Sequence, residues 1–400
     1  MYIAYPPALL ELQGQLREYF RSLLTPEERD GAEIGPARYA EVRSQLGKDG
    51  WLGLGWPAEY GGQGRSEFDQ FVFFDEARKA NAPVPMLALN TVGPTLMRYG
   101  TQEQKDFFLP RILSGEIDFA IGYTEPEAGT DLAALKTRAV RDGENYVING
   151  QKIFTSGGAF ADYIWLAVRT DPAAPRHKGM SIILVPTTAP GFSATPLPTI
   201  SEGGVRATTT THYDDVVVPV ANLVGPENAG WRIITSQLNH ERIALAASRT
   251  WISERLREVV EWAAATPARM AFGSSGGSGR LIDEPAVRLA LARVDARLEA
   301  MKLLNWRMVA TLAAGDKLAP ADAAAAKIYG TEVLIEACRA LLEVVGQAGY
   351  LTRTSPGAIL NGRLEQAYRA AVVGTFGGGN NDVLREIIAS AGLGMARVTR

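Results

Sequence analysis

The stretch "LNHERIALA" places one carboxylate on an apolar helical stripe. Leu238, Glu241 and Leu245 fall at i, i+3 and i+7, which is one face of an α-helix. A Glu in that setting is either interfacial or functional, and its chemistry would be proton abstraction as a general base. A Glu beside an Arg, here Arg242, is also the common pattern of a solvated helix surface. His240 points about 100° away from Glu241 around a helix, so it is read as structural or as lying near a bound cofactor-like chain. A second stretch, "VVGTFGGGNNDVLREIIAS", carries Gly374, Gly377, Gly378 and Gly379 into Asn380 and Asn381. Glycine tolerates positive φ and admits a ligand to bare backbone, and Asn is a good N-cap, so a helix is expected to start near Asn380. Such a loop suits an anionic or carbonyl group. It contains no acid, base or nucleophile.

Metal chemistry has little to work with. Cys338 is the single cysteine, and His177, His212 and His240 are scattered without ligand spacing. The 400 residues suffice for two or three domains with large cores. Hydrophobic residues make up 46% and charged residues 21%, as in an ordinary globular protein. A net charge of -3 argues against nucleic acid as a partner. The N-terminal residues lack the pattern of a signal peptide, and no apolar run reaches about 18 residues. A cytoplasmic protein without membrane spans is expected.

The elements that must position these residues come in three blocks. Residues 1–118 read as helices, including "ALLELQGQLREYFRSLL", "SEFDQFVFFDEARKA" and "TQEQKDFFLPRILSG", the last opened by Thr101. Residues 119–229 hold short β-branched or aromatic runs such as "NYVINGQKIF", "DYIWLAVRT" and "MSIILVPT", separated by turn residues, and predict a domain of antiparallel strands. Residues 230–400 are helical again. The spacing predicts one helix about 50 Å long from Gly230, then helices over about 286–314 and 321–345. "GSSGGSGR" reads as a flexible loop, because it lacks the Gly-Lys-Ser/Thr ending and preceding strand of a phosphate loop. The fold class is α+β, and the order is not the βαβ alternation of a doubly wound sheet.

"GYTEPEAGTDLAALKT" and "NGQKIFTSGGAFADY" together resemble the flavin-binding segment of the acyl-CoA dehydrogenase family. "VGPENAGW", "LNHERIALA", "RMAFG" and the C-terminal glycine loop extend the resemblance over nearly the whole chain. It implies an N-terminal helical domain, a middle antiparallel β-domain and a C-terminal helical bundle, with FAD as cofactor. By that resemblance Tyr123, Thr124, Gly129 and Thr130 line the flavin, with Thr130 also near the thioester. Read from composition alone, the same segment is a β-turn punctuated by Pro126 and Gly129. Phe154 matches an aromatic position, usually Trp, that packs on the flavin, and Ser156 matches a Thr beside the reactive flavin nitrogen. A buried strand Phe is the plainer reading of Phe154. Arg269 and Phe272 match a pair reaching the FAD of a neighbouring subunit, and a snorkelling Arg is the plainer reading there. Glu343, Gly346 and Gly349 match a segment with the same role, although the family has Gln at the first position and Gly where Gln347 stands.

Most members carry their catalytic Glu in the C-terminal loop. Alignment through "LREIIA" puts Gly378 there, with Asn380 two positions on at a family Thr that contacts FAD. Some members, the isovaleryl-type and long-chain-type enzymes, instead carry the base on the helix after the β-domain, in a Leu-x-x-Glu-Arg segment. Glu241 falls on that position, with Leu238 and Arg242 as its substrate-side neighbours. The resemblance implies α,β-dehydrogenation of an acyl-CoA thioester by Glu241, with the Gly378 N–H among the donors to the thioester oxygen. Electrons would pass to an electron-transfer flavoprotein. Bulk missing at Gly378 suggests a branched or bulky acyl group, and the closest resemblance is to actinobacterial subunits of sterol side-chain degradation. A homotetramer or an α2β2 heterotetramer is implied. The rival readings are a non-catalytic subunit completing a partner's FAD site, an oxidase passing electrons to oxygen, and a flavin monooxygenase on the same fold.

Overall fold

The computed structural model describes residues 4–200, 208–237, 250–268 and 279–396. Along the chain it shows helices, then a sheet, then helices. These pack as two compact units, one of Ala32–Ser66 and Pro83–Arg242, the other of Met1–Gly31, Glu67–Ala82 and Ile243–Arg400.

The helices are α1 (Pro7–Leu23), α2 (Pro26–Arg29), α3 (Pro36–Lys48), α4 (Glu67–Lys79), α5 (Gly93–Tyr99), α6 (Gln102–Leu113), α7 (Gly230–Gln237), α8 (Ile252–Ala265), α9 (Pro285–Ala313), α10 (Pro320–Val345), α11 (Arg363–Ala371) and α12 (Asn381–Ile387). The strands are β1 (Phe119–Gly122), β2 (Arg138–Asp142), β3 (Asn145–Ser156), β4 (Tyr163–Arg169), β5 (Met180–Pro186), β6 (Phe192–Pro196), β7 (Thr208–Pro219) and β8 (Leu223–Val224).

The sheet unit is built on the order β6-β7-β3-β2-β4-β5-β8, with β1 added to β4. Its ladders are antiparallel except where β1, over Phe119–Gly122, and Arg138 at the start of β2 run parallel to β4. A parallel pair needs a long connection, and the β2–β3 hairpin supplies it. Inward residues Ala139, Tyr146, Ile148, Ile164, Leu166, Val168, Ile183, Val185, Val216 and Val218 form the core. α6 starts where the sequence predicts. Thr101 and Gln104 satisfy each other's backbone N–H in a reciprocal cap. The same Gln104 then donates to the Ala221 and Leu223 carbonyls and holds the helix on the sheet.

In the helical unit, α1 buries Leu12, Leu16 and Phe20 at four-residue spacing. α10 is buried around most of its circumference because α8, α9, α11 and α12 all pack on it. Its Leu334, Ala337, Cys338, Leu341 and Leu342 meet Ile252, Leu256 and Val259 of α8 and Val294, Leu298 and Met301 of α9 in one core.

The single helix predicted from Gly230 onward is corrected. Within the described residues α7 runs up to Gln237, and Thr250 and Trp251 form a turn before α8 starts at Ile252. The cause is local. The Ser253 N–H and Oγ both donate to the Thr250 carbonyl, and the Glu254 N–H donates to Trp251. Three-residue spacing tightens the backbone there, and the Thr250 hydroxyl is drawn to the buried Asp75 of α4.

Candidate active site

Two sets of candidate residues are described, one in each unit. In the sheet unit, the segment after β1 is tied down from below by a buried ion pair. Lys152 of β3 is fully buried, and its Nζ donates to Glu125 Oε1 at 2.8 Å and to the Tyr123 carbonyl at 3.1 Å. The Glu125 carboxylate also accepts the N–H groups of Lys136 at 2.6 Å and Thr137 at 2.8 Å. Burial opposes its ionisation, but the Lys152 charge and these hydrogen bonds outweigh it and hold Glu125 below the usual carboxylate range. Burial pushes the Lys152 ammonium down to about 8 against the pull of Glu125. The Ile153 N–H completes the anchoring at the Thr124 carbonyl, 2.8 Å away.

The upper surface of that segment is open. Gly129 and Thr130 are exposed, and their N–H groups donate to no acceptor among the described residues. Phe154 is 55% exposed with φ +59°, a conformation that costs a bulky residue about 1–3 kcal/mol. The register with β7 slips between Lys152 and Thr155, both fully buried, and the bulge turns the intervening Phe154 outward. A buried strand Phe is therefore excluded. Ser156 is exposed two residues on, opposite Thr208. An exposed aromatic held in a strained conformation, beside free backbone donors and hydroxyls, fits a flat heterocycle rich in acceptor atoms. FAD is such a group. Tyr123, Thr124, Gly129, Thr130, Phe154 and Ser156 are brought together along one segment and the strand beneath it.

In the helical unit, Gly378 has φ +66° and Gly379 φ +105°. A Cβ added to Gly378 would meet nothing within 4 Å. The position thus combines a glycine-specific backbone with open space. Asn380 caps α12, its Oδ1 accepting the Asp382 N–H at 2.8 Å, as the sequence predicts. Gly378→Ala should destabilise the chain by about 1–2 kcal/mol through backbone strain alone, with no steric clash, and denaturant unfolding measures it. Gly346 ends α10 with φ +77°, and Gly349 lies buried with a would-be Cβ 3.0 Å from Val345. Glu343 is exposed one turn earlier. Leu238, Glu241, Arg242, Arg269 and Phe272 lie outside the described residues. So does His240.

Sequence reasoning missed three supporting residues. Lys152 and Glu125 stood inside the quoted motifs, but nothing local paired them across 27 positions. Lys327 of α10 is nearly buried and donates to the Gly379 carbonyl at 2.6 Å and to Asn381 Oδ1 at 2.8 Å, fixing the glycine loop from beneath. Among the described residues no cluster of His, Cys, Asp or Glu could hold a metal ion, and no helix is long and apolar enough to cross a membrane.

Three family models match the chain: acyl-CoA dehydrogenase N-terminal domain at residues 7–116, middle domain at 120–216 and C-terminal domain at 228–393. The chain is 53% identical over 412 residues to the acyl-CoA dehydrogenase FadE26 of Mycobacterium tuberculosis (strain ATCC 25618 / H37Rv), covering 100% of both. Among solved structures it is similar to the Tcur3481-Tcur3483 steroid ACAD, with TM-score 0.91, 53% identity and 100% of both chains covered. It is likewise similar to the ChsE4-ChsE5 complex from Mycobacterium tuberculosis, with TM-score 0.91, 52% identity and 100% of both chains covered. The chain belongs to the acyl-CoA dehydrogenase family.

Proposed function

We propose that this chain carries out FAD-dependent α,β-dehydrogenation of a bulky acyl-CoA thioester, with a steroid side chain as the leading candidate. The observation that carries the reading is Gly378, a left-handed glycine facing open space in the loop where most members of the family place their base. The base is then Glu241, which removes the proton from Cα. Arg242 beside it favours the ionised carboxylate. The Gly378 N–H donates to the thioester oxygen as negative charge develops there. Thr130 and Leu238 line the acyl-CoA. The chemistry FAD supplies when bound is acceptance of the hydride from Cβ. Tyr123, Thr124, Gly129, Thr130, Phe154 and Ser156 hold it in the sheet unit. Arg269, Phe272, Glu343, Gly346, Gly349 and Asn380 are proposed to complete its binding, the first five across a subunit boundary. The electron acceptor is an electron-transfer flavoprotein, the setting cytoplasmic and the assembly a tetramer, homomeric or α2β2. A steroid substrate and a two-chain assembly are supported by the similar proteins, one described as a steroid ACAD and one as a complex.

A panel of short, branched, long and steroid acyl-CoA thioesters tests the substrate class. Turnover confined to straight short chains would contradict it. The second reading is a subunit that completes a partner's FAD site without turning over itself. It is favoured by the absence of any acid among residues 374–381 of the glycine loop. Purifying the chain alone, recording its flavin spectrum and then adding acyl-CoA separates the two.

A further inference from the structure

Gln237 lies in α7 with only 2% of its surface exposed. Its Oε1 accepts the Tyr123 hydroxyl at 2.5 Å, and that hydroxyl oxygen accepts the Trp165 Nε1–H at 3.0 Å. An indole N–H only donates, so the chain of bonds runs one way, from Trp165 through Tyr123 to the Gln237 carbonyl oxygen. The carboxamide is thereby oriented, and its NH₂ is left over. Nε2 is buried and finds no hydrogen-bond acceptor among the described residues. Buried donors are almost always satisfied, so this one calls for an acceptor from outside the described protein atoms.

Its position narrows the candidates. Tyr123 heads the segment assigned above to the flavin, and Gln237 lies four positions before Glu241 in the sequence. We propose that Gln237 is a ligand-binding residue whose Nε2 donates to a carbonyl oxygen of the bound molecules, either a ring carbonyl of the flavin or a carbonyl of the acyl thioester. This rests on the reading of Tyr123–Thr130 as a wall of the ligand site. Tyr123 and Trp165 are positioning residues that fix the donor's orientation.

The test compares the wild-type protein with Gln237→Met, which keeps the unbranched shape and removes the donor, and with Tyr123→Phe, which keeps Gln237 and releases it. Two affinities are measured: FAD for the apoprotein, by fluorescence titration, and a non-reactive acyl-CoA analogue with sulfur in place of Cβ for the holoprotein, by perturbation of the flavin spectrum. Gln237→Met should weaken one of the two about tenfold, with Tyr123→Phe weakening the same one by less. The melting temperature of the Gln237→Met apoprotein should fall no further than that of Tyr123→Phe, because both variants lose the Tyr123–Gln237 hydrogen bond whereas Nε2 has no partner until the ligand arrives. Loss on FAD assigns the flavin carbonyl, and loss on the analogue alone assigns the thioester. Affinities unchanged within about twofold would overturn the proposal and leave a water molecule or a group outside the described residues as the acceptor. A wild-type chain that takes up no FAD would instead sink the proposed function, and this inference with it.

Discussion

Glu241→Gln should bind FAD as the wild-type chain does and lose about a thousandfold in turnover with every acyl-CoA tried. The amide keeps the size of the carboxylate and cannot accept a proton. No substitute stands in the C-terminal loop, where residues 374–381 carry neither acid nor base. The acid limb of the pH–rate profile should disappear together with the rate, since that limb reports ionisation of the base in the free enzyme. Flavin content, read from the visible spectrum, separates this outcome from misfolding. Near-normal turnover in the variant would return the base to another group and break the link between the vacant loop and the helix.

Lys152→Met should destabilise the sheet unit by about 3–5 kcal/mol, because it strands the Glu125 carboxylate without its buried partner. The same change should loosen FAD, since Lys152 also holds the Tyr123 carbonyl. The pH dependence has a definite sign. In the wild-type chain Glu125 titrates below 4.5, so its stabilising contribution is complete above that value and is lost as pH falls through the folded pKa. Without Lys152 the carboxyl rises and can go neutral in the fold. The gap between variant and wild type in denaturant unfolding should therefore narrow as pH falls through the carboxylate range. A Glu125→Gln/Lys152→Met double variant should recover part of the loss at neutral pH. A single variant as stable as the wild type would show the pair to be dispensable.

Much of the architecture was legible in local pattern. Thr101 with Gln104 announced α6, Asn380 announced α12, and the runs around Ile148, Leu166 and Ile183 announced strands. What escaped depended on contacts distant in sequence. Strict alternation along "NGQKIFTS" puts Lys152, Phe154 and Ser156 on one face. The bulge opposite β7 instead buries Lys152 and Thr155 and turns Phe154 to the surface. The break before α8 was hidden because "SRTWISERL" reads as continuous helix, whereas Thr250 answers to Asp75, 175 positions earlier. Gln237 lies in a run that reads as plain helix, and its bond to Tyr123 spans 114 positions. The loop glycines were visible in sequence, but the lysine beneath them belongs to another helix. The candidate site was thus readable as motifs, while the groups that hold those motifs in place were not.

The central claim is that this chain itself dehydrogenates an acyl-CoA, although its loop lacks a base. It is tested most directly by mixing the purified holoprotein with steroid side-chain acyl-CoA under anaerobic conditions and following the flavin absorbance in a single turnover. Rapid bleaching is expected in the wild-type chain and none on the same timescale in Glu241→Gln. Flavin that stays oxidised in the wild-type chain with every thioester, or that bleaches equally fast in the variant, would contradict it.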